Sequence, residues 1–290
     1  MTFNKTLPIL KNTLLLSMIV ILPSVTYLLW SDALNLTSKA SEVVFDQSRL
    51  KRTPYKETYA DDLSYFENFL GFDYTGKFKQ IYNKENQYEK NGSIFISAQQ
   101  KYTVNPTFNY QSTDKRANTY DAQYSGGKLI LKEKFQYGHL QIKAKVPNIP
   151  GTLPAFWLIN MDDPSSYGEI DLLEVPGSEK GNAYAAIHWG KDQSSLKNKW
   201  GMRKMPTIST ESHWYDVYRF PDYIAVLYDG VKVLELDPRV SALPNGKIPL
   251  NEPMKLVMNF NIGDKWAGTM DNSKLPAAIE VEEVSIRHYR

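Results

Sequence analysis

Short apolar segments, separated by clusters of Gly, Pro, Asn and Asp, most limit what this chain can fold into. Beyond residue 63 most of these segments have a period of two or span only a few residues, which is typical of β-strands. One exception is the helical spacing of apolar residues in 63–70, which predicts a short helix. The rest predicts two packed antiparallel sheets. The strands predicted most clearly are 93–97, 128–131, 138–146, 155–159, 169–175 and 183–189.

Two local patterns make this prediction more specific. Asp229-Gly230 separates two apolar segments, and this dipeptide tolerates the positive φ angles of a tight β-hairpin turn. Near the end of the chain, apolar residues at Ile279 and Val281 resume at Val284, one position out of phase. A phase slip of this kind predicts a β-bulge in the last strand.

Composition limits the class of protein. With 290 residues, 42% of them hydrophobic, the chain can bury one large core. The absence of cysteine excludes disulfides, thiol catalysis and Cys-ligated zinc. A net charge of only +2 argues against nucleic acid as a partner, and four scattered histidines argue against a His-rich metal site.

The N-terminus resembles an export segment. Lys5 and Lys11 precede an uncharged apolar segment, 13–30, which Pro23 interrupts and a small-x-Ala sequence ending at Ala33 follows. This layout fits either a cleaved signal peptide or a retained membrane anchor, and both alternatives stay open. We therefore expect an export or anchor segment over 1–33, a linker over 34–62 and a catalytic domain over 63–290. The domain would be secreted, periplasmic or tethered outside the cytoplasmic membrane, touching the membrane only through this segment.

The stretch 167–175 contains three carboxylates on one predicted strand. Side chains alternate along a strand, so Glu169 and Asp171 share one face, whereas strict alternation would bury Glu174 in the core. A buried carboxylate without a partner is costly, and one extra residue would return Glu174 to the face of the other two. The sequence therefore predicts a bulge at Leu172-Leu173.

Such a cluster of like charges indicates a function, because repulsion disfavours it in a strand selected for stability alone. Retaining glycosidases need two carboxyl groups about 5 to 5.5 Å apart, one as nucleophile and one as acid. The charge of Glu169 should raise the pKa of Glu174 and keep it protonated. An exposed acidic strand or a calcium site is the alternative from spacing alone.

The hexamer from Glu169 to Glu174 resembles the bulged Glu-x-Asp-x-x-Glu signature of glycoside hydrolase family 16, and the resemblance covers residues 84–287. Further matching motifs are Tyr137-Gly138, 151–157 with Pro-Ala-Phe-Trp, His188-Trp189-Gly190, 221–224, Tyr228-Asp229-Gly230, and Asn259 with Gly263, Trp266 and Gly268. The resemblance implies a concanavalin A-like jelly-roll β-sandwich with a sugar-binding cleft across its concave sheet. It also implies Glu169 as nucleophile, Asp171 as its assistant and Glu174 as general acid/base of an endo-acting retaining enzyme. No cofactor is required, a structural calcium is compatible with the family, and we expect a monomer.

The same resemblance implies which residues contact the polysaccharide. The predicted substrate contacts are Trp157, His139, His188, Trp189, Asn259 and Trp266, each of which has a buried structural role as its alternative. The chain departs from the family pattern at His139, Leu153 and Tyr218-Arg219. Because these positions are expected to touch sugar subsites, they leave the polymer open between a β-1,3-glucan and related glucans or galactans.

Two further alternatives concern substrate and reaction. Five cations follow His188-Trp189-Gly190 and would favour an acidic or sulfated polysaccharide if they lined the cleft, although a solvated basic loop is the simpler explanation. They are Lys191, Lys197, Lys199, Arg203 and Lys204. A transglycosylase would use the same covalent intermediate, and a noncatalytic glycan-binding protein would keep the cleft without the chemistry.

Overall fold

The computed structural model describes residues 54–72, 79–161, 165–192, 194–263 and 265–289. The predicted export segment, 1–33, and most of the predicted linker lie outside these residues. Within them, no helix combines the length and the apolar character that crossing a membrane requires. The described ranges contain one short α-helix, α1 (Lys115–Asn118), and are otherwise built from strands and short 3₁₀ turns.

The sheet with the predicted carboxylate strand has seven strands, all antiparallel to their neighbours. From one edge to the other they are β13 (Lys197–Lys204), β12 (Asn182–Gly190), β11 (Tyr167–Glu174), β10 (Thr152–Ile159), β17 (Met254–Ile262), β8 (Lys128–Phe135) and β2 (Phe66–Asn68).

The second sheet has eleven strands and is antiparallel except where β4 pairs with β7. Its order is β16 (Val231–Leu236), β15 (Tyr223–Tyr228), β14 (His213–Phe220), β9 (Gly138–Lys145), β18 (Ala277–His288), β6 (Ser93–Val104), β7 (Asp121–Gly126), β4 (Gln80–Tyr82) and β3 (Gly71–Phe72). Two further strands pair at its sides, β1 (Lys56–Tyr59) with β18 and β5 (Gln87–Lys90) with β6.

The core lies between the inner faces of the two sheets. Leu140 and Ile142 of β9 and Phe156 and Leu158 of β10 are fully buried there, two residues apart on each strand. Their neighbours in sequence point to the outer faces, as the period of two requires. The predicted all-β sandwich of two packed sheets is confirmed, and so are all six strands.

Both local predictions are also confirmed. β15 and β16 form a hairpin whose turn residues, Asp229 and Gly230, have φ angles of 48° and 74°. Positive φ at both positions is the signature of a type I′ turn, which suits the twist of a hairpin. In β18 the register against β9 shifts between Val281 and Glu283, which is the predicted bulge.

Two predictions near the start of the domain are wrong. The expected helix at 63–70 is a 3₁₀ turn, Leu63–Tyr65, followed at once by β2, because Phe66 is extended and packs into the core. The linker also ends earlier than residue 62, because β1 pairs with β18 and Ala60 is 1% exposed in the core. Pairing with a distant strand is not visible in the local pattern of residues 54–62.

Arg219 connects both sheets at one end of the sandwich. Its side chain is fully buried, and its guanidinium donates hydrogen bonds to the main-chain carbonyls of Phe135, Gln136, Leu250 and Glu252. Burial lowers the pKa of Arg219, yet the carbonyl dipoles replace the water that the cation has lost. Arg219 is thus a structural residue, and the prediction that it touches a sugar subsite is wrong.

Replacing Arg219 with methionine should destabilise the fold by about 3 kcal/mol or more, because it leaves several buried carbonyl oxygens without donors. Urea unfolding of Arg219→Met against the wild type measures this loss. Arg239→Met is a matched control, since that side chain is 64% exposed and the substitution should leave the midpoint nearly unchanged. Equal midpoints for both variants would contradict the structural role of Arg219.

Candidate active site

The bulge in β11 decides where the carboxylates point. On β10, Phe156 pairs with Leu173 and the next residue, Trp157, pairs with Asp171, so Leu172 is the extra residue. The register against β12 shifts over the same residues. Leu172 and Leu173 are both fully buried in the core. The predicted bulge is confirmed, and its effect is to move every later side chain of β11 by one position.

All three carboxylates consequently lie on one side of the seven-stranded sheet. Glu169 and Glu174 pair with Ile159 and Ala155 of β10, and Asp171 pairs with the residue midway between these. Alternate residues of a strand share a face, so the three acids share theirs. We call this outer surface, defined by Glu169, Asp171 and Glu174, the carboxylate face.

Asp171 is the buried member of the set. It is only 6% exposed and lies between Trp157 on β10 and Ala186 on β12. Burial raises the pKa of its carboxyl well above the ordinary value, and the negative charge of Glu169 raises it further. Asp171 therefore retains its proton to a higher pH than an exposed aspartate.

Glu169 is surrounded by polar side chains. The Tyr167 hydroxyl donates to Glu169 Oε2 at 2.5 Å, and His188 occupies the paired position on β12. His188 Nε2 lies 3.3 Å from Asp171 Oδ2. The strand register therefore places His188, one of the predicted substrate contacts, beside Glu169 and Asp171. Tyr167 was missed, although its position two residues before Glu169 predicts that it shares the same face.

The β10 side of the carboxylate face contains two predicted substrate contacts. Trp157 is partly exposed, and its indole Nε1 donates to Asn259 Oδ1 at 2.6 Å. Asn259 is 2% exposed, and its Nδ2 has no hydrogen-bond partner among the described residues. Asn259 thus orients the indole and keeps an amide donor at this part of the face.

Trp266 lies on the other side, near Glu174. Its ring packs edge-on against Tyr184 with centroids 4.8 Å apart, and Tyr184 is the β12 residue paired with Glu174. Trp266 Nε1 donates to Glu179 Oε1 at 2.9 Å. The structure therefore brings Trp266 to the margin of the carboxylate face, where the sequence predicted a contact.

Two predicted substrate contacts lie elsewhere. Trp189 pairs with Gly168, one position out of phase with Glu169, so its side chain points into the core and is 9% exposed. His139 belongs to β9 of the other sheet, where it stacks on Tyr218 at 4.1 Å and lies 2.7 Å from Asp216. The predictions for Trp189 and His139 are both corrected, because strand parity and sheet membership decided their positions.

Four of the five basic residues, Lys197, Lys199, Arg203 and Lys204, lie on an edge strand, β13, rather than in a loop. Lys199 and Arg203 reach across to donate to main-chain carbonyls of β16 and β15. Lys204 donates to the main-chain carbonyl of Lys180 and to Asn182. These three cations are engaged in holding β13 in place, which removes most of the basis for a preference for acidic polysaccharides.

One group of side chains within the described ranges has the spacing of a metal site. One ligand atom each from Glu169, Asp171 and His188 lies within 4.8 Å of the others. Calcium prefers six to eight oxygen ligands, which this group with its imidazole nitrogen does not provide. A structural calcium therefore stays a prediction without an assigned site.

Comparison with known proteins agrees with this geometry. The chain is 30% identical to glucan endo-1,3-β-glucosidase A1 of Niallia circulans over 220 residues, which is 70% of this chain and 32% of that protein. It is 26% identical to a β-glucanase of Rhodothermus marinus over 187 residues, 57% of this chain and 62% of that protein. The chain thus spans less than two thirds of the length of either relative.

Solved structures share the fold. The laminarinase catalytic domain of Thermotoga maritima superposes with a TM-score of 0.66 at 18% identity, over 82% of this chain and 99% of that one. A chain solved in work on endo-acting O-glycanases of human gut microbiota gives a TM-score of 0.74 at 22% identity, covering 82% of this chain and 94% of its own length. The family model for glycosyl hydrolases family 16 matches residues 75–277, more than half of the chain. With the bulged carboxylate strand inside that match, the chain belongs to family 16 of the glycosyl hydrolases.

Proposed function

We propose that this protein is an endo-acting retaining hydrolase of a β-linked glucan, with Glu169 as nucleophile and Glu174 as general acid/base. The observation that carries the proposal is the bulge at Leu172, which sets two glutamates on one face of one strand. Carboxyl pairs of this kind perform double displacement at an anomeric carbon.

The surroundings of the two glutamates support this division of roles. Glu169 accepts a hydrogen bond from Tyr167, which favours its charged, nucleophilic form. Burial raises the pKa of Asp171, so this neighbour resists adding a second negative charge beside Glu169. Glu174 follows the bulge in β11. It is the remaining carboxyl group of the three, and we assign it as the proton donor.

The proposed reaction has two steps. A Glu169 oxygen bonds to the anomeric carbon while Glu174 transfers its proton to the departing glycosidic oxygen, which releases one half of the chain. Glu174 then takes a proton from water, whose oxygen attacks the same carbon and frees Glu169. Two inversions at one carbon return the original β configuration.

The substrate class rests on the relatives. The names of the two curated relatives specify a glucan endo-1,3-β-glucosidase and a β-glucanase, which supports a β-1,3- or mixed-linked glucan here. The carboxylate face also offers Trp157 as an apolar surface and Asn259 Nδ2 as a donor, the two kinds of contact that a sugar ring needs. A transglycosylase would differ only in the acceptor, and it would make products longer than the starting oligosaccharide.

Glu169→Gln should lower turnover by at least about a thousandfold, because an amide does not form the covalent intermediate. The measurement is the release of new reducing ends from a panel of β-1,3-, mixed-linked and galactose-based polysaccharides. Glu211→Gln, an exposed glutamate outside the carboxylate face, is the matched control and should keep full activity. Equal activity of Glu169→Gln and wild type would refute the nucleophile assignment.

The stereochemistry of the product gives an independent prediction. Proton NMR during the first minutes of hydrolysis should show the β-anomer before mutarotation produces the α-anomer. Initial appearance of the α-anomer would mean a single displacement by water and would exclude a covalent role for Glu169.

Asp171 should make stability depend on pH. The pKa of Asp171 is raised in the folded state. Below its unfolded pKa, about 3.9, Asp171 is protonated in both the folded and the unfolded state, and its contribution to the free energy of unfolding is fully present. As pH rises toward the folded pKa, that contribution is lost. The unfolding free energy of Asp171→Asn relative to wild type should therefore increase between pH 4 and pH 7.5, measured by urea unfolding. A difference that stays constant or decreases would show that Asp171 is not held protonated.

A further inference from the structure

Three aromatic side chains form a continuous cluster on the β12–β13 side of the carboxylate face. Tyr184 lies at its centre, with Trp266 at 4.8 Å and Trp200 at 6.2 Å between ring centroids. Tyr184 is 5% exposed, whereas Trp200 is 42% exposed and Trp266 is partly exposed. One buried ring thus supports two accessible indoles.

Glu179 holds this cluster in place through hydrogen bonds. Its carboxylate accepts hydrogen bonds from the Tyr184 hydroxyl, from Trp266 Nε1 at 2.9 Å and from Asn182 Nδ2 at 2.8 Å. A carboxylate that holds two aromatic side chains at once reduces the rotamer freedom that a ligand would otherwise have to remove. The cluster is therefore organised before any ligand binds.

The strand register places Trp200 level with Asp171, two strands away across the sheet. Asp171 pairs with Ala186 on β12, and Ala186 pairs with Trp200 on β13, so all three lie side by side across the sheet. Two strand spacings, about 10 Å, separate the backbone of Asp171 from that of Trp200. Because the residue between them is alanine, no large side chain of β12 separates the indole from the carboxylates at this level.

The exposure of Trp200 also argues for a ligand. β13 is the edge strand of its sheet, and edges are usually protected by charged side chains such as the lysines of this strand. A large indole at such an edge adds apolar surface to solvent, which stability alone does not favour. The flat faces of sugar rings carry C–H groups that pack well on indoles.

We propose that Trp200 is the platform of a glycosyl-binding subsite about two strand spacings from the catalytic carboxylates, and that Glu179 is the positioning residue of its aromatic cluster. The proposal rests on the proposed function for the identity of the ligand, a polysaccharide chain lying across the strands from β11 to β13. Substrate length is then a determinant of rate, because only chains that reach β13 gain the contact.

A substrate-length series tests the platform. Trp200→Ala should lower kcat/KM roughly tenfold or more on the polysaccharide and on long oligosaccharides, and leave it unchanged on the shortest one that is cleaved. Trp200→Phe should retain part of the length dependence. Trp214→Ala, a partly exposed tryptophan of the other sheet, is the matched control and should not change the series. A uniform loss at all lengths, or no loss at any, would overturn the platform.

Two variants separate positioning by Glu179 from a general effect on folding. Glu179→Ala should raise KM for long substrates with little change in kcat, whereas Glu179→Gln keeps an acceptor oxygen and should recover most of the affinity. If both variants behave like the wild type, Glu179 does not position the cluster. If both lose kcat equally on all lengths, its role is structural.

Binding without hydrolysis keeps this test distinct from the proposed function. In the Glu169→Gln background, affinity electrophoresis through each polysaccharide of the panel should show retardation that Trp200→Ala weakens and Trp214→Ala does not. Retardation that depends on Trp200 without hydrolysis by the wild type would uphold the subsite and refute the enzymatic proposal. Hydrolysis by the wild type, together with retardation that is independent of Trp200, would uphold the enzymatic proposal and refute the subsite. Absence of any retardation would also count against the subsite.

Discussion

One unpaired residue in β11 determines the chemistry that this fold presents. Leu172 has no paired residue on β10. If β11 lacked this extra residue, Glu174 would point between the sheets, among side chains that are fully buried. Burying an unpartnered carboxylate costs several kcal/mol, whereas packing one more leucine in the core is favourable. The bulge satisfies both requirements, since it adds an apolar side chain to the core and returns an acid to the surface of the sheet.

The remaining features of the site depend on the register that the bulge creates. β12 places His188 at Glu169, Ala186 at Asp171 and Tyr184 at Glu174, so each acid has a different lateral neighbour. An imidazole and a tyrosine hydroxyl surround the first glutamate, and an aromatic cluster lies beside the second. Three chemically similar residues on one strand thus occupy three different electrostatic environments, which is the basis for assigning them different roles.

Different side chains of the sandwich stabilise its scaffold and form the candidate site. Arg219 donates to main-chain carbonyls of the segments 135–136 and 250–252. The basic residues of β13 similarly bond to carbonyls of β15 and β16, which joins the edge strand to the opposite sheet. Arg219 and the basic residues of β13, which the sequence suggested for substrate recognition, therefore stabilise the fold. The carboxylate face consists mainly of a few acidic and aromatic side chains.

The sequence by itself determined the sandwich, the hairpin at Asp229-Gly230 and the bulges in β11 and β18. These features follow from local rules. Side chains alternate along a strand, and a β-bulge accommodates a break in that alternation at low energetic cost. The same rule was sufficient to group Glu169, Asp171 and Glu174, and extending it by two residues would have added Tyr167. Only the tertiary structure decided that Trp189 lies in the core, that His139 belongs to the other sheet, and that Tyr184, Trp200 and Glu179 meet beside the carboxylates. Which strands become neighbours depends on contacts between segments far apart in the chain, and periodicity within one segment carries no information about its partners.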